Sequence, residues 1–472
     1  MSGSEGAMYD LAIIGGGPGG YVAAIRSAQQ GLKVLLVEKD SLGGTCLNRG
    51  CISTKCFFYD GNILEAAKTS QVITGAETLS IDPSKMVARK RQVVKSLVGG
   101  LEKIMESYGI EVAQGFGELI APGRVRVRPA NGLSEEHQAR AVILAMGSRP
   151  AVPEFIEIDG HYIQTTDEAL DSDDIPGGVI IVGGGVIGVE MTGIYRTLGS
   201  EVTVLELLPD ILTTEDEEIR RAMRRLLDQR GVKTHLRVEL QEIAIRGDEV
   251  EVTFQDQGKG TQVLRADRVL VATGRAPVLD GVDKAKLGLI TEGPFVKTNE
   301  RLETNLPGVY AIGDLIGGMM LAHKASAEAE AAVANILGAR KEVKPERIPR
   351  CIWGFTEIGA VGLTEEEARA TGRPVKIGKF QFMNSSAAQA LGSVVGFAKI
   401  IGDAETGEVL GFHIMGPHAT DLIGEPVLAM STESVVEELA EAVRPHPTLS
   451  ETVMEAAMAW SGLAIDSPKK ST

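Results

Sequence analysis

One short device is written twice in this chain, and it leaves few folds open. An apolar run, Tyr9 to Ile14, feeds directly into Gly15-Gly-Gly17-Pro-Gly-Gly20; Tyr21 to Gln30 has helical character, and the next apolar run, Lys33 to Val37, ends on Glu38. The second copy runs from Val179 to Val182 into Gly183-Gly-Gly185-Val-Ile-Gly188, and Glu206 closes the run Glu201 to Leu205. From first glycine to acid is 23 residues in both copies (15 to 38, 183 to 206). A Gly-x-Gly-x-x-Gly string alone fits an ordinary glycine turn. With a strand before it, a helix after it and an acid at the next strand end, it defines a βαβ unit. Its glycines admit a tight turn and the approach of a pyrophosphate to backbone N–H groups, and its acid can take the adenosine ribose hydroxyls. The expected fold class is therefore α/β with two Rossmann-like dinucleotide-binding domains. The spacing does not say which nucleotide sits where.

Between the copies, Leu42 to Cys56 reads Leu-Gly-Gly-Thr45-Cys46-Leu-Asn-Arg49-Gly50-Cys51-Ile-Ser-Thr-Lys55-Cys. Two cysteines five apart on one regular helix point about 140° away from each other, so a bond between Cys46 and Cys51 needs irregular backbone, which Gly50 can supply. Four cysteines in 472 residues do not make the framework of a secreted protein, and a close pair in a reducing compartment reads as redox-active. The attacking species is a thiolate, which needs cationic neighbours; Lys55 and Arg49 are the candidates. Cys56 and Cys351 read as packing residues. Two nucleotide units and one cysteine pair are most economically an electron relay.

Near the C-terminus, Thr448 to Glu451 fits a capping box opening a helix over Thr452 to Trp460. Just ahead of it, His446 offers a base that works near neutral pH, with Glu451 able to orient the ring. From about residue 346 the texture changes to shorter apolar runs, at Ile358 to Gly362, Val375 to Phe380, Gly396 to Ile401 and Val409 to Ile414, followed by helical segments at about 420 to 431 and 433 to 443, which predicts an α+β unit. The net charge of −16 argues against nucleic acid or an anionic membrane as main partner. Residues 1 to 7 lack the pattern of a leader, and no stretch reaches the roughly 18 apolar residues of a membrane span, so a soluble, cytoplasmic protein is expected. No metal-ligand spacing is visible; His413 and His418 read as packing or surface residues. The acidic run Glu215 to Glu218 reads as a solvated first turn of a helix.

In this order, from about Tyr9 to about Ala464, the motifs resemble the flavoprotein disulfide reductases, the class I pyridine nucleotide-disulfide oxidoreductases, and within them the dihydrolipoamide dehydrogenase branch. The resemblance implies FAD on the first glycine loop and a nicotinamide cofactor on the second, where the Glu206 carboxylate suits the free ribose hydroxyl of NAD and repels the 2′-phosphate of NADP. Val142 to Pro150 resembles the strand that closes the first FAD segment, and Val269 to Pro277 repeats it for NAD; these carry Gly147 and Gly274. In Gly308-Val-Tyr-Ala-Ile-Gly-Asp314 the aspartate, which could simply cap the following helix, would hold the flavin's ribityl chain, so the NAD domain is inserted in the FAD domain. The implied segments are 1–150 for FAD, 151–277 for NAD, 278–345 completing the FAD domain, and 346–472 for dimerisation.

The same resemblance makes Gly15, Gly17, Gly20, Glu38, Thr45, Lys55, Gly147 and Asp314 the FAD residues, and Gly183, Gly185, Gly188, Glu206 and Gly274 the NAD residues. It makes Cys46 the thiol that exchanges with lipoamide and Cys51 the thiol beside the flavin, joined as a disulfide when oxidised. Lys55 and Glu190 should meet near the flavin ring, and His446 with Glu451 should serve the active site of the partner subunit in a homodimer. The implied reaction is oxidation of dihydrolipoamide with reduction of NAD. Because no lipoyl domain precedes Tyr9, the substrate is expected on another protein, the lipoyl carrier of a 2-oxoacid dehydrogenase, glycine cleavage or related system. Two alternatives use the same residues: an NADH-dependent reductase of another small disulfide, and a flavin/dithiol sensor that does not turn over. Ser53-Thr54, Met146, Gly354 to Glu357, Ser386 and Arg444 depart from the family's usual residues.

Overall fold

The computed structural model describes residues 8–468; the N-terminal stretch read above for a leader lies outside them. The first sheet carries five parallel strands in the spatial order Glu111–Gln114, Val34–Glu38, Met8–Ile14, Glu135–Leu144 and Val309–Ala311. Strands Phe116–Ala121 and Arg124–Arg128 extend it antiparallel from the start of Glu135–Leu144. All five residues of Val34–Glu38 are buried, as expected of a parallel strand covered on both faces. The alternation of side chains decides what covers each face. Leu11 and Ile13 pack with Ala23, Ala24, Ala329 and Ala332 of the helices Pro18–Gln29 and Ala322–Ile336. Ala12 and Ile14 pack with Leu119, Val125 and Val127 on the opposite side. Each fully buried aliphatic contributes about 1.5–3 kcal/mol.

The chain then builds a second parallel sheet, in the order Lys233–Leu236, Glu201–Glu206, Gly178–Val182, Arg268–Val271 and Ile163–Gln164. An antiparallel meander, Val238–Arg246, Glu249–Asp256 and Gly260–Ala266, covers it. Entry and exit of this excursion are zipped together: Ser148–Pro150 pairs antiparallel with Arg275–Pro277. Only afterwards does Val309–Ala311 rejoin the first sheet beside Glu135–Leu144. One dinucleotide-binding fold is thus inserted in another, as the sequence led us to expect. The C-terminal part is a five-stranded antiparallel sheet, Arg350–Trp353, Glu357–Gly362, Val409–Gly416, Phe397–Asp403 and Val375–Gln381. The helix Glu451–Ser461 lies so close on this sheet that a Cβ on Gly378 would meet the Ala456 carbonyl at 2.1 Å. Among the described residues no helix is long and apolar enough to cross a membrane.

The acidic turn Glu215–Glu218 differs from expectation. Glu215 and Asp216 are 2% and 1% exposed, because they lie in the seam between the second nucleotide unit and the C-terminal sheet, whereas Glu217 is the solvated first-turn acid that was expected. Arg350 Nε donates to Glu215 Oε1 at 2.9 Å, and Lys399 Nζ reaches Asp216 Oδ1 at 3.0 Å and Glu218 Oε1 at 3.1 Å. Asp216 also caps the helix Glu217–Gln229 by accepting from the Glu218 amide.

Candidate active site

The two glycine loops match down to their hydrogen bonds. Gly15 and Gly183 have φ of +106° and +112°, and a Cβ on either would lie 2.3 Å from a carbonyl of the neighbouring strand, Ala145 or Ala272. A Cβ on Gly20 or Gly188 would meet the Gly15 or Gly183 carbonyl at 1.8 or 1.9 Å. These four glycines are thus dictated by the protein's own backbone. The middle glycines are not: a Cβ on Gly17 would find only Gly44 Cα at 3.9 Å, and one on Gly185 nothing within 4 Å. Each is the N-cap of a helix, Pro18–Gln29 or Val186–Leu198, with no side-chain cap. Space and uncapped helix N–H groups at this point suit a pyrophosphate, so each loop fits a dinucleotide. Glu38 accepts from the amides of Gly16 and Asp40, at 2.6 and 2.7 Å; Glu206 accepts from those of Gly184 and Leu208 at the same distances. A carboxylate offers about four lone-pair sites, so capacity for ribose hydroxyls remains on both.

A cavity of about 750 Å³ runs from the first loop to the cysteines. Gly15, Gly17, Glu38, Thr45, Cys46, Cys51, Lys55, Gly147, Glu190 and Asp314 line it, and Val186 and Ile187 of the second loop's helix open onto it. Gly20, Gly183, Gly185, Gly188, Glu206 and Gly274 do not; Gly20 lies under the first loop, and the other five belong to the second nucleotide unit.

The cysteines sit where the backbone breaks. The short helix Gly44–Asn48 stops, Gly50 takes φ −123° and ψ −111°, and a new helix starts at Cys51 and runs to Thr69. The break lets Cys46 and Cys51, on two separate helices, act on each other directly. The pKa of Cys46 is driven up by Cys51 and by burial. Cys51 is correspondingly lowered to about 7 by the Cys46 hydrogen bond, with burial opposing and Lys55 assisting. Arg49, the other candidate cation, is instead paired with Asp40. Cys56 is buried in the core, whereas Cys351 lines the cavity and burial pushes its thiol up to about 12.

Lys55 Nζ lies 3.0 Å from both oxygens of Glu190, which also accepts the Trp353 amide at 3.1 Å. At the other end, Asp314 accepts from Ser148 Oγ, and Arg275 Nε donates to the same hydroxyl at 2.7 Å. Ser148 and Arg275 directly follow Gly147 and Gly274, so motifs read for their glycines concealed the side chains beside them. Trp353 was also missed; it is one of two tryptophans in a chain poor in aromatics, and that scarcity was the available signal.

His446 and Glu451 are not brought to this cavity in their own chain. Glu451 Oε1 meets His446 Nδ1 at 2.9 Å and its Oε2 accepts the Thr448 amide at 2.8 Å, while the His446 side chain is 71% exposed. Only half of the expected capping box forms: the Thr448 hydroxyl is hydrogen-bonded to the Pro445 carbonyl and to the Ser450 hydroxyl instead of the Glu451 amide. His413 is buried on its strand with Nε2 2.9 Å from the Leu363 carbonyl, and His418 is exposed beside Asp421. Among the described residues no group of His, Cys, Asp and Glu could hold a metal ion.

Residues 9–329 match the pyridine nucleotide-disulphide oxidoreductase family and residues 348–457 the dimerisation domain of that family. The chain belongs to this family. It is 40% identical to a dihydrolipoyl dehydrogenase of Bacillus subtilis (strain 168), covering 97% of this chain and 99% of that protein. It is 41% identical to the dihydrolipoyl dehydrogenase of Chlorobaculum parvum, over 97% of this chain and 98% of the relative. Leghemoglobin reductase of Vigna unguiculata is 38% identical over 95% of this chain and 87% of its own length. Among solved structures, LpdA from Mycobacterium tuberculosis superposes with a TM-score of 0.89 at 26% identity, covering 95% of this chain and 98% of that one.

Proposed function

We propose that this chain, as a homodimer, oxidises protein-bound dihydrolipoamide to lipoamide and reduces NAD+ to NADH, with FAD as its resident cofactor. The observation that carries this reading is the convergence on one cavity of the Cys46 and Cys51 thiols, the Lys55–Glu190 pair, and the open cradle at Gly17. The first-loop residues Gly15, Gly17, Gly20 and Glu38, with Thr45, Lys55, Gly147 and Asp314, hold FAD; Gly183, Gly185, Gly188, Glu206 and Gly274 hold NAD.

Oxidation of the substrate removes two electrons and two protons. The first lipoyl thiol gives its proton to His446 of the partner subunit, which passes it to solvent, and the thiolate attacks Cys46 of the oxidised pair; the Cys46–Cys51 bond breaks, and the negative charge left on Cys51 is met by Lys55. The second lipoyl sulfur, deprotonated by His446 of the partner subunit, displaces Cys46 from the mixed disulfide, and lipoamide leaves with its ring bond formed. Cys46 takes up the proton, in keeping with its raised pKa. Glu451 fixes the His446 ring through Nδ1, leaving Nε2 as the accepting atom. Bound FAD supplies the passage of the electron pair from this dithiol to the nicotinamide.

On this reading the functional segments are 1–150, 151–277, 278–345 and 346–472, and the substrate arrives on the lipoyl carrier of a 2-oxoacid dehydrogenase, glycine cleavage or related system. A pair that must cycle through its dithiol suits the cytoplasm. The relatives' names favour neither the sensor nor the other-disulfide alternative. The test is NAD+ reduction by dihydrolipoamide, followed at the nicotinamide absorbance with purified holoenzyme. Sustained turnover is expected; none, with flavin bound and both thiols titratable, would refute the assignment.

A further inference from the structure

Trp353 belongs to neither nucleotide fold. It ends the strand Arg350–Trp353 of the C-terminal sheet, yet it lines the redox cavity. Two contacts bring it there: its backbone N–H donates to Glu190 Oε1 at 3.1 Å, and Lys55 Nζ stands 4.1 Å from the centroid of its ring. The lysine stem has four rotatable bonds, and its ammonium is a compact point charge that a single carboxylate can bind from many directions. Glu190 alone would also draw that charge toward itself. An aromatic face on the other side attracts the ammonium without neutralising it.

We propose that Trp353 is a positioning residue of the redox pair: its indole face fixes the Lys55 ammonium between ring and carboxylate, where its charge bears on Cys51. The C-terminal unit thereby sets the thiolate character of cysteines carried by the first nucleotide unit. This rests on the reading of Cys46 and Cys51 as the redox pair.

The ionisable groups facing Cys51 are Cys46 on the preceding short helix, Lys55 on its own helix and Glu190 on Val186–Leu198. Asp314 acts on Cys46, Tyr21 borders both thiols, and Cys351 lies within the field of Lys55. Of these, only Lys55 is cationic; on the proposed function His446 of the partner subunit adds a second ionisable group on the Cys46 side, the same in every variant compared, so differences between plots report the position of Lys55.

The test reads the thiols directly and does not depend on lipoamide turnover. Holoenzyme is equilibrated in dithiothreitol redox buffers over a range of pH, quenched in acid and labelled with a maleimide, and the dithiol potential is plotted against pH. The plot bends at the thiol pKa. In Trp353→Leu the bend is expected to move up by roughly half a pH unit; Trp353→Phe, which keeps an aromatic face, should restore it. In a Lys55→Met background, Trp353→Leu should move the bend no further, as a double-mutant cycle requires of residues that act through one another. Superimposable plots for parent and Trp353→Leu, or an equal shift with and without Lys55, would overturn the proposal. Should the leucine variant fail to hold flavin, the comparison of Trp353→Phe with Trp353→Tyr against the parent decides: both must retain the bend. No bend in the parent itself would instead sink the reading of the pair.

Discussion

Lys399→Met is expected to loosen the seam between the second nucleotide unit and the C-terminal sheet. Lys399 is 1% exposed on the strand Phe397–Asp403. Its ammonium lies 3.0 and 3.1 Å from the two oxygens of Asp216, 3.1 Å from Glu218 and 2.7 Å from Glu365. Burial works against the charge, but Glu365, Asp216 and Glu218 outweigh it and raise the lysine's pKa. Burial likewise pushes Asp216 up, and His413, the Glu365 amide and Lys399 together bring it below the ordinary carboxylate range. Removing one partner of a buried pair costs about 3–5 kcal/mol. Asp216 would keep the amides of Glu218 and Glu365, and the side chains of Glu218 and Glu365, 33% and 29% exposed, can turn to water, which places the loss near the lower limit. About 3 kcal/mol lowers Tm by about 6–12 °C for a cooperative unit of roughly 150–250 residues. The carboxylates, being lowered, contribute above their unfolded pKa of about 4, and that contribution is lost as pH falls through their folded values. Lys399, being raised, contributes below its unfolded pKa of about 10.4 and loses its share only as pH rises through the folded value. The deficit should thus be full from about pH 5 to about pH 10 and shrink on further acidification. Scanning calorimetry of the holoenzyme reads it, and a Tm within about 2 °C of the parent at neutral pH, or an undiminished gap in acid, would refute the reasoning.

The glycines of the first loop should separate folding from cofactor binding. Gly17→Ala has room within the protein and is expected to fold but purify without flavin, whereas Gly20→Ala drives a methyl to 1.8 Å from a carbonyl and should lower the yield of folded protein, as circular dichroism and flavin content would show. His446→Ala should keep its flavin and its NADH oxidation with an artificial electron acceptor while dithiol turnover falls by about 10²–10⁴-fold; Glu451, held low by the Thr448 amide and His446 despite burial, stays ionised to orient the ring across the working pH range. A loss of both activities together would argue for a structural role instead.

What the sequence disclosed was local. Gly20 is required by the Gly15 carbonyl five residues before it, so it leaves a motif, and the irregular joint at Gly50 follows from the spacing of the cysteines it serves. What stayed hidden depends on elements far apart in the chain. The acidic turn at Glu215 looks like any dipole-favoured helix start until Arg350 and Lys399, more than a hundred residues on, are placed against it. Ser148 and Arg275 lie in strings read as strand ends, and their joint hold on Asp314 appears only once the two ends of the inserted unit pair with each other. Thr448 carried the right residue type for a capping box, but its hydroxyl is taken up by Pro445 and Ser450.

These hidden contacts share a direction. The C-terminal unit reaches the second nucleotide unit through Lys399 and Arg350 and the Lys55–Glu190 pair through Trp353, and it carries His446 and Glu451 at the start of its last long helix. Glu215 and Asp216 are buried by that unit and also balanced by it, so cutting the chain ahead of Arg350 would leave two acids that had evolved a partner without one, and Lys55 would lose the ring that holds it. The two glycine loops are shaped by contacts within their own nucleotide units, but the surroundings of Lys55 are not. On the proposed reading the nucleotide units supply the cofactor sites, and the C-terminal unit positions the one lysine beside the cysteines of the first unit.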